Sequence, residues 1–193
     1  GDEKLRLLQT ILEALTGPGS VYIGMDHFPR PQHELVRAQQ AGTLQRNFQG
    51  YSTRSGAEIL GLGISSISQT SDTYRQNHKE LPVYQQAIAA GTPPVSRGFV
   101  LSREDQLRRE VIMELMCNLR VDFDAVTARW EIDPATHFAS ELDALTPMVE
   151  DGLIVCGKDG LAVTERGRWF LRNLAMPFDQ YLAATPNRYS RTV

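Results

Sequence analysis

Four glycines, Gly50, Gly56, Gly61 and Gly63, fall within fourteen residues of one another. They lie in a stretch that reads Arg46-Asn-Phe-Gln-Gly-Tyr-Ser-Thr53 and continues into Leu60-Gly-Leu-Gly-Ile-Ser-Ser-Ile-Ser68. Glycine tolerates backbone geometries closed to other residues and lets a main chain approach a neighbour closely. Such a run makes a poor helix face. It gathers backbone donors, hydroxyls and small side chains in one place. Two readings stay open on composition alone: a wall shaped around a ligand, or a Gly/Ser connector between elements.

The rest of the composition narrows the classes. At 193 residues the chain has enough length for one large domain or two small ones. With 41% hydrophobic and 22% charged residues it reads as globular rather than disordered. A net charge of −3 gives no general attraction to nucleic acid or to an anionic membrane. No apolar run approaches a membrane span and no signal peptide opens the chain, so the expectation is a cytoplasmic protein. Cys117 and Cys156 are the only cysteines and sit in separate apolar segments. They read as buried thiols in a reducing compartment, and two of them cannot hold an iron–sulfur or zinc centre unaided. The chain opens Gly1-Asp2-Glu3-Lys4 without a methionine, which reads as a fragment.

Along the chain, Leu5, Leu8, Leu12 and Leu15 recur at helical spacing beside Ile11, and Gly17-Pro18-Gly19 stops the run. Val21 to Met25 reads as a short strand buried on both faces, giving half of a βα repeat. Asp26 and His27 then stand at its carboxyl end, where α/β sheets place ligands, or else merely cap the next segment. Pro31 suits the first position of a helix through Ala41, closed by Gly42; its polar composition places it on the surface. The glycine-rich stretch reads as loop, short strand and loop, with a further buried strand at Ile59–Ile64. A helix from Leu81 to Ala90 ends at Gly91, and Thr92-Pro93-Pro94 is the best internal boundary, separating 1–94 from 95–193.

Beyond that boundary the texture changes. Ser102-Arg-Glu-Asp105 is a capping signature, and Leu107, Val111 and Leu115 continue at helical spacing beside Ile112 and Met116. Phe123–Trp130 reads as a second helix. Asp133-Pro134 starts a third, with Phe138, Leu142 and Leu145 inward, a bend near Pro147 and a close at Asp151-Gly152. Leu153–Cys156 and Leu161–Val163 flank Gly157-Lys-Asp-Gly160, a hairpin signal. Thr164 caps a last helix carrying Trp169, Phe170, Leu171 and Leu174. The order resembles a winged-helix-like module. A DNA-binding role for it is opposed by Glu141, Asp143, Glu150 and Asp151, which repel phosphate.

The common hydrolase, NTPase and metal signatures are absent, and the four histidines show no metal-ligand spacing. Arg46 and Arg54 flank the glycine-rich stretch and Arg30 precedes it. Three guanidinium groups there can hold carboxylates by bidentate pairing, or simply be solvated.

Taken together, Tyr22-Ile-Gly-Met-Asp-His-Phe28, Arg46-Asn-Phe-Gln-Gly-Tyr51, Gly61-Leu-Gly-Ile-Ser-Ser-Ile-Ser68, Tyr74-Arg-Gln-Asn77 and Tyr189-Ser-Arg-Thr-Val193 resemble the oxygen-independent coproporphyrinogen III oxidases. These are radical S-adenosylmethionine enzymes of heme synthesis. The likeness covers only the C-terminal part of such an enzyme: the C-x-x-x-C-x-x-C cluster motif and the glycine-rich cofactor motif that follows it are not in this sequence. It implies an α/β plus mainly α fold, with the C-terminal βα remnant of a radical-SAM partial (β/α) barrel to about Pro94. A helical, winged-helix-like C-terminal domain with a small β-hairpin follows, lying as a lid over the barrel mouth.

For the complete enzyme the resemblance implies a 4Fe–4S cluster that cleaves S-adenosylmethionine to a 5′-deoxyadenosyl radical. The radical takes hydrogen from a propionate β-carbon of coproporphyrinogen III, and carbon dioxide leaves a vinyl group. Done at two propionates, this yields protoporphyrinogen IX. The resemblance places Phe48, Gln49 and Ile67 beside S-adenosylmethionine. Their chemistry suits this: an aromatic wall, an amide that donates and accepts, and an apolar contact for an adenine or sulfonium methyl. The substrate's carboxylates give Arg46, Arg54 and Arg30 a purpose, with His27 beside them. No catalytic residue and no metal ligand is expected in this stretch, which by itself is expected to be inactive. The complete enzyme is expected to be a monomer with an electron donor and acceptor not identified by sequence, and no nucleic-acid or membrane partner. Two alternatives stand beside this reading: a heme-binding relative without oxidase activity, and a winged-helix interaction module after Pro94.

Overall fold

A computed structural model describes residues 2–16 and 19–182. The Gly17-Pro18 stop and the Tyr189–Val193 motif lie outside the described residues. The chain divides into two compact units, one drawn from residues 1–53 and 108–193, the other from 54–107. The break read at Thr92–Pro94 falls inside the second unit. There His78 N–H donates to the Pro94 carbonyl at 2.9 Å, and the strand after Pro94 pairs with the one before His78.

In the first unit, α1 (Asp2–Thr16) has the expected helical extent, with Leu12 buried and Ile11 and Leu15 exposed; the side chains of Leu5 and Leu8 lie outside the described ones. The strand expected at Val21–Met25 does not form. Gly24 (φ +135°) and Met25 (φ +57°) turn the chain back on itself instead. His27 N–H then donates to Gly24 O at 3.2 Å, Ile23 N–H to His27 O at 3.3 Å and Val21 N–H to Pro29 O at 2.8 Å. The following helix, α2 (Glu34–Gln40), starts three residues later than Pro31 suggests, because the His33 imidazole accepts from Leu35 N–H as its cap. Nor is it a surface helix. Val36 and Ala38 are buried with Ile23, Leu44 and Cys117.

Next come β1 (Gln45–Asn47) and β2 (Gly50–Ser52), an antiparallel hairpin in which Arg46 faces Tyr51 and Asn47 faces Gly50. The second unit holds β3 (Ile67–Gln69), β4 (Thr73–Asn77) and β5 (Val95–Val100) in the antiparallel order β3-β4-β5, with α3 (Leu81–Ala89) between the last two in sequence. The buried strand expected at Ile59–Ile64 is also absent. Only Ile59 bridges to Gln69, and Leu62 is 91% exposed. A Cβ on Gly61 would lie 2.7 Å from the Ile67 carbonyl oxygen, so the loop packs directly on the backbone of β3 there without a ladder of strand hydrogen bonds.

The helix α4 (Arg103–Met113) begins on the expected capping box: Ser102 N–H donates to Asp105 Oδ2 at 2.8 Å, and Asp105 N–H to Ser102 Oγ at 3.1 Å. It continues into a π-helical turn, Glu114–Asn118, ended by Leu119 in the left-handed region (φ +63°). Then follow β6 (Arg120–Asp122), α5 (Phe123–Trp130), α6 (Pro134–His137) and α7 (Ala139–Glu150). The single third helix expected from Asp133 is interrupted at Phe138, whose ring packs on Phe178 with centroids 5.4 Å apart.

The hairpin is where its turn residues place it, as β7 (Ile154–Gly157) and β8 (Gly160–Val163), and β6 adds to it in the order β6-β8-β7. Thr164 Oγ1 accepts from Gly167 N–H at 3.0 Å. The segment it caps is composite rather than one helix: a 3-10 turn over Gly167–Phe170, then α8 (Leu171–Ala175), then a second 3-10 turn over Met176–Phe178.

Candidate functional site

The Asn47-Phe48-Gln49-Gly50 turn has asparagine first and glycine last, a common turn chemistry. Asn47 Oδ1 accepts from Gln49 N–H at 2.8 Å, and Gly50 takes φ +126°. The tip therefore carries Phe48, 55% exposed, and an exposed Gln49. Behind the tip, His27 Nε2 stands 3.2 Å from where a Cβ on Gly50 would be. The His27 ring meets Tyr51 edge-on at 4.9 Å. Its Nδ1 lies 2.9 Å from Asp26 Oδ1 but off the line of a hydrogen bond. With Asp26 88% exposed, that charge contact is weak.

Across the hairpin the Arg46 guanidinium lies over the Tyr51 ring, Cζ 5.9 Å from its centroid, and Arg46 Nε is buried with no acceptor among the described residues. Tyr51 Oη donates to Met116 O at 2.9 Å, and burial raises its ionisation well above the ordinary phenol value. Two motifs from the sequence, 22–28 and 46–51, thus meet through His27, Gly50 and Tyr51. Arg30 lies on the exposed surface of this unit, with its carbonyl accepting from His33 N–H at 2.9 Å.

Polar residues that sequence reading left as surface or core hold this arrangement. Gln39 Nε2 donates to Ile23 O at 2.7 Å and Cys117 O at 2.9 Å. Its Oε1 accepts from Arg168 at 3.1 Å, and Arg168 also donates to Tyr22 O. No local signal marks Gln39, since its partners lie 16 and 78 residues away.

In the second unit, Ile67 opens β3, half-buried, with Gly61 pressed against its backbone. Asn77, only 8% exposed, donates from Nδ2 to Gly63 O at 2.9 Å and Ser66 Oγ at 3.0 Å. Ser68 Oγ accepts from Gly61 N–H at 3.0 Å. The Gly61–Ser68 loop is thus tied to the Tyr74–Asn77 strand by side chains from both motifs. Arg54 is exposed on this unit.

Residues 101–170 match the family described as the HemN C-terminal domain. The chain is 44% identical over 193 residues to the oxygen-independent coproporphyrinogen III oxidase of Salmonella typhimurium, covering 99% of this chain and 42% of that one. To the enzyme of the same name from Thermostichus vulcanus it is 46% identical over 186 residues, 96% of this chain and 57% of that one. The chain is thus similar to oxygen-independent coproporphyrinogen III oxidases, and it spans less than two thirds of the length of the relatives it matches, 42% of one and 57% of the other. The solved coproporphyrinogen III oxidase (HemN) of Escherichia coli, described as a radical SAM enzyme, superposes with a TM-score of 0.90 at 43% identity, over 94% of this chain and 42% of that one.

The residues present do not fit an iron–sulfur cluster. Burial, with the Glu114 carboxylate adding to it, pushes the Cys117 thiol up to about 12, and Cys156 is exposed on β7. Among the described residues no group of three or more His, Cys, Asp or Glu side chains is placed to hold a metal ion. The hairpin tip does fit a nucleoside or sulfonium ligand in chemistry, with an outward aromatic ring and an outward amide. Arg46, with a buried donor lacking an acceptor among the described residues, suits a carboxylate.

Proposed function

We propose that this chain forms the C-terminal portion of an oxygen-independent coproporphyrinogen III oxidase. It would contribute one wall of a site for S-adenosylmethionine and coproporphyrinogen III. The observation that carries this reading is the 44% identity over 99% of the chain to enzymes of that name. In the complete enzyme the reaction is the oxidative decarboxylation of two propionates to vinyl groups. S-adenosylmethionine and a 4Fe–4S cluster held elsewhere in the longer chain supply its one-electron chemistry when bound.

Phe48 packs on the cofactor's adenine or methyl, Gln49 hydrogen-bonds it, and Ile67 gives an apolar contact. Arg46 is the strongest of the substrate candidates, because its buried Nε has no acceptor among the described residues. His27 backs the same turn, while Arg30 and Arg54 are exposed basic candidates for the substrate's carboxylates. Residues 1–94 belong to the catalytic region, as the last part of a partial barrel, and 95–193 to the C-terminal domain. The family match over 101–170 supports that division. The order α4-β6-α5-α6-α7-β7-β8, with β8 central in its sheet, supports a winged-helix-like description of the second part. We take the complete enzyme to be a cytoplasmic monomer served by a separate electron donor and acceptor. No helix among the described residues is long and apolar enough to cross a membrane.

The test is made in the full-length protein. Gln49→Ala and Ile67→Ala each abolish vinyl formation while the cluster's visible absorbance is retained. Normal turnover in both variants would remove these residues from the site. Tight heme binding by the parent protein, without decarboxylation, would instead select a heme-handling relative.

A further inference from the structure

We propose that Tyr51 is a positioning residue whose bond to the π-helical turn at Glu114–Asn118 fixes where the Phe48-Gln49 tip stands. The proposal rests on the reading of that tip as an S-adenosylmethionine contact. It starts from what the π-helical turn leaves open. Leu119 in the left-handed region ends the helix, so the preceding carbonyls have no helical N–H ahead of them. Three carbonyls here, that of Leu119 included, find partners from different elements. Met116 O accepts from Tyr51 Oη, Cys117 O from Gln39 Nε2 and Leu119 O from Val163 N–H, at 2.9, 2.9 and 2.8 Å. The turn is therefore a fixed anchor rather than a loose helix end, tied to α2 and β8 at once.

Tyr51 is the hairpin's own attachment to that anchor, and it sits directly after Gly50 at the base of the turn. Its ring has little freedom. His27 meets it edge-on at 4.9 Å, and Gly24 lies so close that a Cβ there would be 2.5 Å from Tyr51 Oη and 2.8 Å from Leu171 Cδ1. The same His27 abuts Gly50. A half-buried ring packed between neighbours and holding a directed hydrogen bond is how a supporting group holds a contact residue in place. A displacement of about 1 Å at such a contact is enough to lose binding and rate.

The test uses the full-length protein and measures S-adenosylmethionine binding by calorimetry for the parent, Tyr51→Phe and Gln49→Ala. Hydrogen exchange and melting are followed in parallel. Tyr51→Phe keeps the ring and the fold but loses the bond to Met116 O. We expect Kd to rise about tenfold, with faster exchange over residues 46–51 and unchanged exchange in β7 and β8. A weakened Gln49→Ala with an unchanged Tyr51→Phe would overturn the positioning role and leave the reading of the tip intact. Unchanged binding in both would remove the tip from the cofactor site, and the proposal with it. A Tyr51→Phe variant that melts lower yet binds with parental Kd would mark the bond as purely structural, which also overturns the proposal.

Discussion

Gly50 disfavours a side chain, since its φ of +126° is outside what L-residues favour and a Cβ there would press on His27 Nε2 at 3.2 Å. Gly50→Ala is therefore expected to destabilise the first unit by about 1–3 kcal/mol, the usual range for such strain. A denaturant titration checks this, and an unchanged midpoint would contradict it. Cys117 gives a pH-dependent prediction at the same scale. Its thiol stays protonated to about 12 when folded, chiefly through burial. An unfolded thiol ionises near ~8.5. Because the folded value is the higher one, stability from Cys117 is fully present below the unfolded value and is lost as pH rises. The expected slope above pH ~9 is about 1.4 kcal/mol per pH unit. Cys117→Ala should remove one such slope from the stability profile, and a profile of equal steepness would contradict the assignment. The folded protein should also show Cys156 reacting with a thiol reagent at neutral pH long before Cys117 does, since only Cys156 is exposed.

At the scale of elements, α4 and α7 are joined by Arg108 and Glu141, 2.7 Å apart and both largely buried. Arg108 also donates to Phe178 O at 3.3 Å and lies over the Phe138 ring at 5.4 Å. Burial pushes the Glu141 carboxyl up, but hydrogen bonds from Arg108 and Ser140 outweigh it, and the net direction is down. The stabilisation is thus present above the unfolded carboxylate's value and is lost as pH falls below it. Glu141→Ala leaves a charged guanidinium buried without its carboxylate and should cost about 3–5 kcal/mol. Replacing both members with apolar residues should recover much of that, and no recovery would contradict the reading of the pair. Legibility in the sequence follows the range of the interactions. The Ser102–Asp105 cap, the helix at Phe123–Trp130 and the hairpin around Lys158-Asp159 rest on neighbours within a few residues, and all three appear. The strands expected at Val21–Met25 and Ile59–Ile64 fail because apolar composition cannot distinguish a strand from a buried irregular turn. Ile23 is fully buried, yet by a chain reversing at Gly24. β6 and the π-helical turn left no signal, as each is completed by residues more than thirty positions away, Leu161 and Tyr51 among them.

For the molecule as a whole, the likeness to the oxidases was legible in the sequence because ordered short motifs carry it, whereas their physical reasons emerge only in three dimensions. The Asn77 of one motif ties the Gly61–Ser68 loop of another, and His27 of a third backs Gly50 of a fourth. The Glu141 side chain, weighed in sequence as a charge repelling phosphate, is instead buried against Arg108. The central claim is the proposed one, that these motifs form part of a coproporphyrinogen III oxidase, and it is tested most directly by anaerobic turnover. Full-length protein, reduced and supplied with S-adenosylmethionine and coproporphyrinogen III, should release carbon dioxide and give a tetrapyrrole with two vinyl groups in place of two propionates, read by mass spectrometry. A protein that holds its cluster and cofactor yet returns the tetracarboxylate substrate unchanged would contradict the account.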